Sequence, residues 1–467
     1  MKTKMNMKNY IRIISIVLFA QLCNKTMAQS LSPIKISPNK HYFVTDDKNP
    51  FFWLGDTGWL LFIKLNREEV IQYLDDRKAK GFNVIQIMVL HSLNAVNRYG
   101  DSALVHGNPS IPKTKPGNDF KDKNQYDFWD HVDFVVEEAA KRGMYLGLVP
   151  IWGSNVKDGH VSVQQATDFA TFLAKRYKNR PNIVWINGGD ILGSDKIDVW
   201  NALGNALRAN DPNHLITFHP RGRAQSSTWF HNASWLDFNM FQSGHKDYVQ
   251  DTVTPRMGED NYKYVNTDFD LKPTKPTIDG EPVYEKIPHG LHDTLATLWN
   301  DNDVRRYAYW SVFAGGAGFT YGHSAVMQFF NGVGAAAYGA KQRWWDAIND
   351  PGAKQMHFLK ELMLSKPYLD RIPDQTLLAE NKGEKYDHLV ATRGKDYAFI
   401  YTATGRKINV NMGKIKEDKV YASWYNPKSG DYTKIGTFDN KGQHEFTPPG
   451  EHKYGNDWVL VLESVNW

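Results

Sequence analysis

The chain has 467 residues, one cysteine, fifteen tryptophans and a net charge of +5. Its Lys and Arg residues are spread along the sequence without a basic block or repeat, so nucleic acid is not an expected partner. The single thiol excludes a disulfide framework and a cysteine-zinc site.

Lys2, Lys4 and Lys8 precede an apolar run over 11–22, and Thr26-Met27-Ala28 comes next as a small-residue cleavage site. That layout predicts a secretory signal peptide over 1–28, and the run is too short for a transmembrane helix. Cys23 leaves with the signal, so the exported chain, starting at Gln29, has no thiol. The alternative is a lipoprotein anchored at Cys23, for which Ala20-Gln21-Leu22 is a poor lead-in.

A hairpin over 33–50 is expected to cap the floor of a barrel. Phe51-Phe52-Trp53-Leu54-Gly55 reads as the first barrel strand with Asp56-Thr57-Gly58-Trp59 as its exit loop, and Asn66 with Glu69 starts a helix that stops at Gly81. Strand 2 spans 82–90. The polar loop 91–125 behind it is long enough to form an active-site wall. A helix over 126–142, strand 3 over 144–150 and a helix over 161–177 lead to strand 4, Ile183-Val184-Trp185-Ile186-Asn187-Gly188-Gly189-Asp190. A helix over 195–210 with Ser194 as N-cap, strand 5 over 214–218 and strand 6 over 235–241 come next, and the segment 248–271 reads as a broken helix. Strand 7 lies within Pro276-Thr277-Ile278-Asp279-Gly280-Glu281, and a helix over 301–313, strand 8 at 319–321 and a helix over 341–364 close the series. Eight alternations of strand and helix predict a (β/α)8 TIM barrel over 29–366. From Pro367 short strands at close intervals, over 388–392, 396–401, 419–425 and 458–462, predict a small antiparallel β-sandwich over 367–467.

Strands 4 and 7 each end in small residues and a carboxylate, 91 positions apart, or about three βα units of roughly 31 residues. Such strands stand nearly opposite across a barrel mouth, and two facing carboxylates there suit glycosidic bond cleavage. Asp190, behind two glycines at the end of an apolar strand, is assigned general acid/base. Glu281, in a more polar segment, is assigned nucleophile, with Glu285 as its rival and Asp279 a weaker one. A gap of about 5–5.5 Å between them implies retention of configuration, and roughly 6.5–9.5 Å implies inversion. Asn187 is placed to donate to a sugar hydroxyl. Asp56 either binds substrate hydroxyls or caps the first helix. His91, His219, His245 and His323 each come after a strand and suggest a hydroxyl-binding rim; a metal site is the alternative, against which the first strand lacks a closely spaced His pair. Arg221 and Gln242 sit in the exit loops of strands 5 and 6. Trp59, Trp152 and Tyr321 are sugar platforms or core residues.

Four ordered motifs, Gly55-Asp56-Thr57-Gly58-Trp59, Trp185-Ile186-Asn187-Gly188-Gly189-Asp190, Asp279-Gly280-Glu281-Pro282-Val283-Tyr284-Glu285 and Gly318-Phe319-Thr320-Tyr321-Gly322-His323, resemble the DUF4038 family, whose characterised branch is glycoside hydrolase family 140, the apiosidases. The C-terminal region, with Trp424-Tyr425-Asn426-Pro427-Lys428-Ser429-Gly430, is similar to that family's companion domain, named for collagen binding. The resemblance implies removal of apiose, a branched pentofuranose, from side chains of rhamnogalacturonan II, with the catalytic Asp falling on Asp190 and the Glu on Glu281. The pattern departs at Met327, where relatives often carry an aromatic residue. The resulting expectation is a monomeric, periplasmic, exo-acting retaining hydrolase of plant cell-wall oligosaccharides that needs no cofactor and no metal. Two alternatives stay open: another exo-glycosidase of the same fold, such as one releasing arabinofuranose, and a non-catalytic glycan-binding protein.

Overall fold

The computed structural model describes residues 31–252, 257–379 and 382–465. The segment 1–28, expected from the sequence to be a signal peptide, and Cys23 within it lie outside the described residues. Residues Lys35–Ile36, Phe43–Val44 and Pro50–Phe51 form a three-stranded antiparallel sheet. Phe43 packs edge-on against Phe238 and tilts over Trp53, which seats this sheet on the end of the barrel where the strands begin.

The barrel strands are β1 Trp53–Thr57, β2 Val84–Leu90, β3 Tyr145–Ile151, β4 Ile183–Ile191, β5 Ile216–Pro220, β6 Asn239–Gln242, β7 Thr277–Asp279 and β8 Gly318–Tyr321. Parallel ladders run from β1 through β5, from β6 through β8, and from β8 back to β1. Between β5 and β6 the ring is bridged by Asp237 N donating to Ile216 O at 2.8 Å and Thr217 Oγ1 donating to Phe238 O at 2.7 Å. The result is a nearly closed, mostly parallel barrel, with a ninth strand, Ala224–Gln225, antiparallel to β6.

Helices α1 Arg67–Ala79, α2 Phe128–Lys141, α3 Val163–Tyr177, α4 Ile197–Asn210, α5 Tyr262–Phe269, α6 Asp301–Phe313 and α7 Pro351–Leu364 accompany the strands. Capping boxes start α1 (Asn66 with Glu69), α2 (Asp127 with Asp130), α3 (Ser162 with Gln165) and α6 (Asn300 with Asp303), each satisfying amides that would otherwise lack partners. Two expectations are corrected. Ser194 does not cap α4: the helix starts after Lys196, whose backbone is left-handed and whose side chain makes no cap. The single helix expected over 341–364 is two, Trp344–Ala347 and α7, because Pro351 cannot continue a helix but fits the first turn of a new one.

The C-terminal region is a six-stranded antiparallel sheet facing a two-stranded one, Ile408–Asn411 with Gln443–Phe446. Leu378, Ile400, Val410, Trp424, Phe446 and Leu460 share the core between them. The strand Tyr432–Asp439, not expected from the sequence, pairs with Lys419–Tyr425 and is largely exposed, so no apolar alternation marks it. Helix α6 lies between barrel and sheet and is buried on nearly every side. Its Arg305 donates to Asp457 at 2.8 and 2.9 Å, and its Tyr309 stacks on Tyr401 with centroids 4.8 Å apart. A buried ion pair of this kind fixes orientation more than it adds stability.

Candidate active site

β4 ends in a bulge. Its register against β5 shifts between Gly188 and Ile191, and Gly188, Gly189 and Asp190 all take positive φ, at 86°, 112° and 48°. A Cβ on Gly188 would lie 2.6 Å from the carbonyl oxygen of His219, and one on Gly189 would lie 2.5 Å from the Trp152 ring. Only glycine fits either position, and Asp is among the few residues that accept the left-handed conformation at the next one. The outcome is that Asp190 leaves the strand and lines the cavity at the barrel mouth.

β7 delivers the second carboxylate by a different device. Asp279 points into the protein, where Ser243 Oγ donates to it at 2.6 Å and Asn261 Nδ2 at 3.1 Å. Burial outweighs those hydrogen bonds and pushes its pKa up to about 7. The Gly280 amide donates to Phe241 O at 2.9 Å, and its carbonyl accepts from Gln86 Nε2, which reaches across the barrel interior from β2 at 2.7 Å. Glu281 then faces the cavity with its Oε1 3.0 Å from His245 Nε2 and its Oε2 3.2 Å from His219 Nε2. The His219 approach is an ion-pair distance that lies off the hydrogen-bond line.

The Asp190 amide donates to His219 Nδ1 at 3.3 Å, so that nitrogen is an acceptor and the ring proton resides on Nε2, the nitrogen nearer Glu281. One imidazole therefore ties the backbone of one carboxylate to the side chain of the other. The electrostatic consequences diverge. Burial alone would raise the Glu281 pKa, but the two imidazoles override it and hold it down at about 2. Asp190 is reached by solvent through the cavity yet walled by protein; that burial, followed by the negative charge of Glu281, raises its pKa, and His219, His245 and Arg221 offset the rise only in part. The two carboxylates are pushed in opposite directions, the division that acetal hydrolysis requires.

The cavity between them has a volume of about 510 Å³. Residues 37–370 match the family profile described as "Apiosidase-like, catalytic domain". The chain belongs to this apiosidase-like family of glycoside hydrolases. Residues 372–463 match a second profile, "Putative collagen-binding domain of a collagenase". A solved structure described as a glycoside hydrolase is 48% identical, covering 93% of this chain and 97% of its own, with a TM-score of 0.88. A family 5 glycoside hydrolase from Bacteroides vulgatus ATCC 8482 is 45% identical over 92% of this chain and 93% of its own, with a TM-score of 0.87. None of the curated proteins matches the chain.

Of the residues singled out from the sequence, Asp190, Glu281, Trp59, Trp152, Arg221, Gln242, His245 and Met327 line the cavity, and His219 lies buried against Glu281. The others go elsewhere. Asn187 is fully buried, donating from Nδ2 to Trp200 O at 2.9 Å and accepting the Gly188 amide at 2.9 Å; it ties the bulge to α4 and lies outside the cavity lining. Asp56 is wedged beneath β1, accepting from Tyr73 at 2.6 Å and Arg77 at 3.3 Å, so it braces α1 rather than binding substrate or capping the helix. Tyr321 is interior, its hydroxyl donating to Glu285 at 2.6 Å, and the Gly352 amide donates to the same Glu285 oxygen at 3.1 Å. Glu285, the rival nucleophile, is thereby committed to the start of α7. His323 pairs with Asp350 at 2.9 Å. His91 lies outside the lining, as does the whole loop 91–125, which packs instead beside α2, with Trp129 Nε1 donating to Ala103 O at 3.0 Å. The expected active-site wall is supplied by segments after β6, β7 and β8.

Among the described residues no group of three or more His, Cys, Asp or Glu has the geometry to hold a metal ion, and no helix is long and apolar enough to cross a membrane. Tyr284, Gln328 and Tyr338 are among the lining residues that the sequence reading did not single out. Tyr284, inside a quoted motif, accepts from Trp59 Nε1 at 3.0 Å, hydrogen-bonds to Glu281 and packs edge-on against His245 with centroids 4.7 Å apart. Gln328 and Tyr338 lie in a Gly- and Ala-rich segment after β8 that has no periodic pattern.

Proposed function

We propose that this glycoside hydrolase is an exo-acting, retaining apiosidase that releases apiose from side chains of rhamnogalacturonan II. The observation that carries the reading is the opposed state of two carboxylates in one cavity, Asp190 raised and Glu281 held at about 2. In the first step Asp190 gives its proton to the glycosidic oxygen as a Glu281 oxygen attacks the anomeric carbon, so the leaving alcohol departs neutral and a glycosyl ester forms on Glu281. In the second step Asp190, now a carboxylate, takes a proton from water as that water attacks the same carbon. Glu281 is released as carboxylate and Asp190 is protonated again. His245 and His219 stabilise the Glu281 charge before attack and after release.

The cavity volume lies within the range of about 300–1,000 Å³ usual for small-ligand sites, which suits one terminal ring and supports exo action. The family description supports apiose as the sugar, and the N-terminal sequence supports export to the periplasm. The test is sugar release from rhamnogalacturonan II side-chain oligosaccharides by wild type, Asp190→Ala and Glu281→Ala. Apiose from wild type and almost none from either variant is the expected result. A different monosaccharide would leave the mechanism and overturn the substrate; oligosaccharide binding without any product would overturn the enzyme reading.

A further inference from the structure

Two tryptophans make one side of the cavity rigid. Trp59 is 3% exposed and its indole N–H is spent on Tyr284, while Trp152 is braced against Trp59, His219 and Gly189. The segment after β8 brings a further ring to the cavity, that of Tyr338. Its backbone sits at φ 53°, ψ 28°, in the left-handed region that a bulky aromatic residue seldom adopts. Such a conformation persists only where the surroundings impose it, and such positions cluster at ligand sites.

The surroundings here are specific. The side-chain amide of Gln328 clamps the preceding residue on both sides, accepting the Ala337 amide at 2.7 Å and donating to the Ala337 carbonyl at 2.9 Å, while also donating to Ser324 O at 2.8 Å. On the C-terminal side Gly339 lies so close to Thr294 that a Cβ there would approach it to 2.7 Å. The ring of His292, another lining residue, has its centroid 6.0 Å from that of Tyr338. Tyr338 itself is half-buried and lines the same cavity as Asp190 and Glu281, and burial together with the charges of those two carboxylates raises its pKa. A flat aromatic face fixed near the reacting groups, in a cavity that also has an indole wall, is matched to the apolar C–H face of a sugar ring.

We propose that Tyr338 is the aromatic roof of the cavity, the specificity-determining residue that covers the sugar bound over Asp190 and Glu281 and restricts the site to a terminal ring. Gln328 is its positioning residue, acting only by holding Ala337. The proposal rests on reading the cavity as a terminal-sugar site.

The experiment compares wild type, Tyr338→Phe, Tyr338→Ala and Gln328→Ala on apiose-terminated rhamnogalacturonan II oligosaccharides, with kcat and KM resolved, and with thermal unfolding of each. Removing the ring is expected to raise KM by about tenfold or more and to change kcat far less, with Tm unchanged. Tyr338→Phe keeps the ring and is expected to restore KM to within about threefold of wild type, and Gln328→Ala is expected to shift KM in the same direction as Tyr338→Ala but less. A Tyr338→Ala KM within about twofold of wild type overturns the proposal, and so does a Phe variant as impaired as Ala, since the hydroxyl would then be the working group. Should wild type release no sugar, the functional reading fails, and calorimetric titration of wild type and Tyr338→Ala with the same oligosaccharide still decides the roof: binding weakened about tenfold supports it, and equal binding overturns it.

Discussion

The ends of β4 and β7 both present a carboxylate to one cavity, but they do so by opposite means. At β4 the backbone does the work: a three-residue run of positive φ turns Asp190 out of the strand, and among the described residues no side chain hydrogen-bonds its carboxyl. At β7 the side chains do it: the strand is regular, and Glu281 is gripped by His245 and approached by His219. A carboxyl walled by protein, without donors and beside a second carboxylate, has its pKa raised, and one held between imidazoles has it lowered. The proposed roles of acid and nucleophile rest on this difference between the two ends, without reference to any substrate. Asp279 sharpens the contrast. It lies two residues before Glu281, is just as buried, has a hydroxyl and an amide for partners instead of imidazoles, and has its pKa pushed in the opposite direction.

The largest effects should come from removing either carboxylate and should differ in kind. Glu281→Ala is expected to lower kcat by about 10⁵-fold or more whatever the leaving group. Asp190→Ala should lower it by about 10²–10⁴-fold on the natural alcohol, and much less for the first step on an aryl glycoside whose leaving group needs no proton. Equal losses on both substrates, measured in a burst experiment, would break the division of roles. A smaller effect should come from loosening the grip on Glu281. With Glu281 at about 2 and Asp190 raised, kcat/KM should form a bell whose acid limb belongs to Glu281 and whose alkaline limb reports loss of the Asp190 proton. His245→Ala removes the hydrogen bond to Oε1, so the acid limb should move to higher pH, with a smaller upward move of the alkaline limb because His245 also lowers the Asp190 pKa. An unmoved acid limb would mean that the histidine does not set the charge of Glu281.

The smallest effect concerns stability. Folded Asp279 keeps its proton up to about pH 7, whereas in the unfolded chain it ionises near 3.8. Between those values the folded state binds the extra proton, so the contribution of this group to stability falls as pH rises from about 4 to about 7. Asp279→Asn cannot ionise, and its unfolding free energy should lose that slope, as read by chemical denaturation across the same window.

How much of the fold and the site was legible in the sequence depended on whether backbone direction or side-chain direction was at stake. The barrel was legible because β-branched apolar runs alternate with helical segments, four of which open on capping boxes, and Asp190 and Glu281 stood out because glycines precede both. Asp56 and Asn187 carry the same outward signature, a polar residue at the end of an apolar strand, yet both turn inward: one meets Arg77 behind β1, the other the carbonyl of Trp200 on α4. Sequence spacing does not separate a carboxylate facing the mouth from one wedged between strand and helix, because the bulge that decides it is set by contacts with Trp152 and His219 far along the chain. His219 and His245 were visible as residues placed just after strands, but their convergence on one glutamate was not. Tyr338 had no signal at all, since its place is fixed by the amide clamp of Gln328 on Ala337.

The central claim is that Glu281, not Glu285 and not Asp190, bonds to the sugar. Its most direct test is intact-mass and peptide mapping of the enzyme after reaction with an activated fluorinated apioside that stalls at the glycosyl-enzyme stage. A single adduct on the peptide carrying Glu281, absent in Glu281→Gln, is the predicted result. An adduct on Glu285 or Asp190, or turnover with inverted anomeric configuration and no adduct, would contradict it.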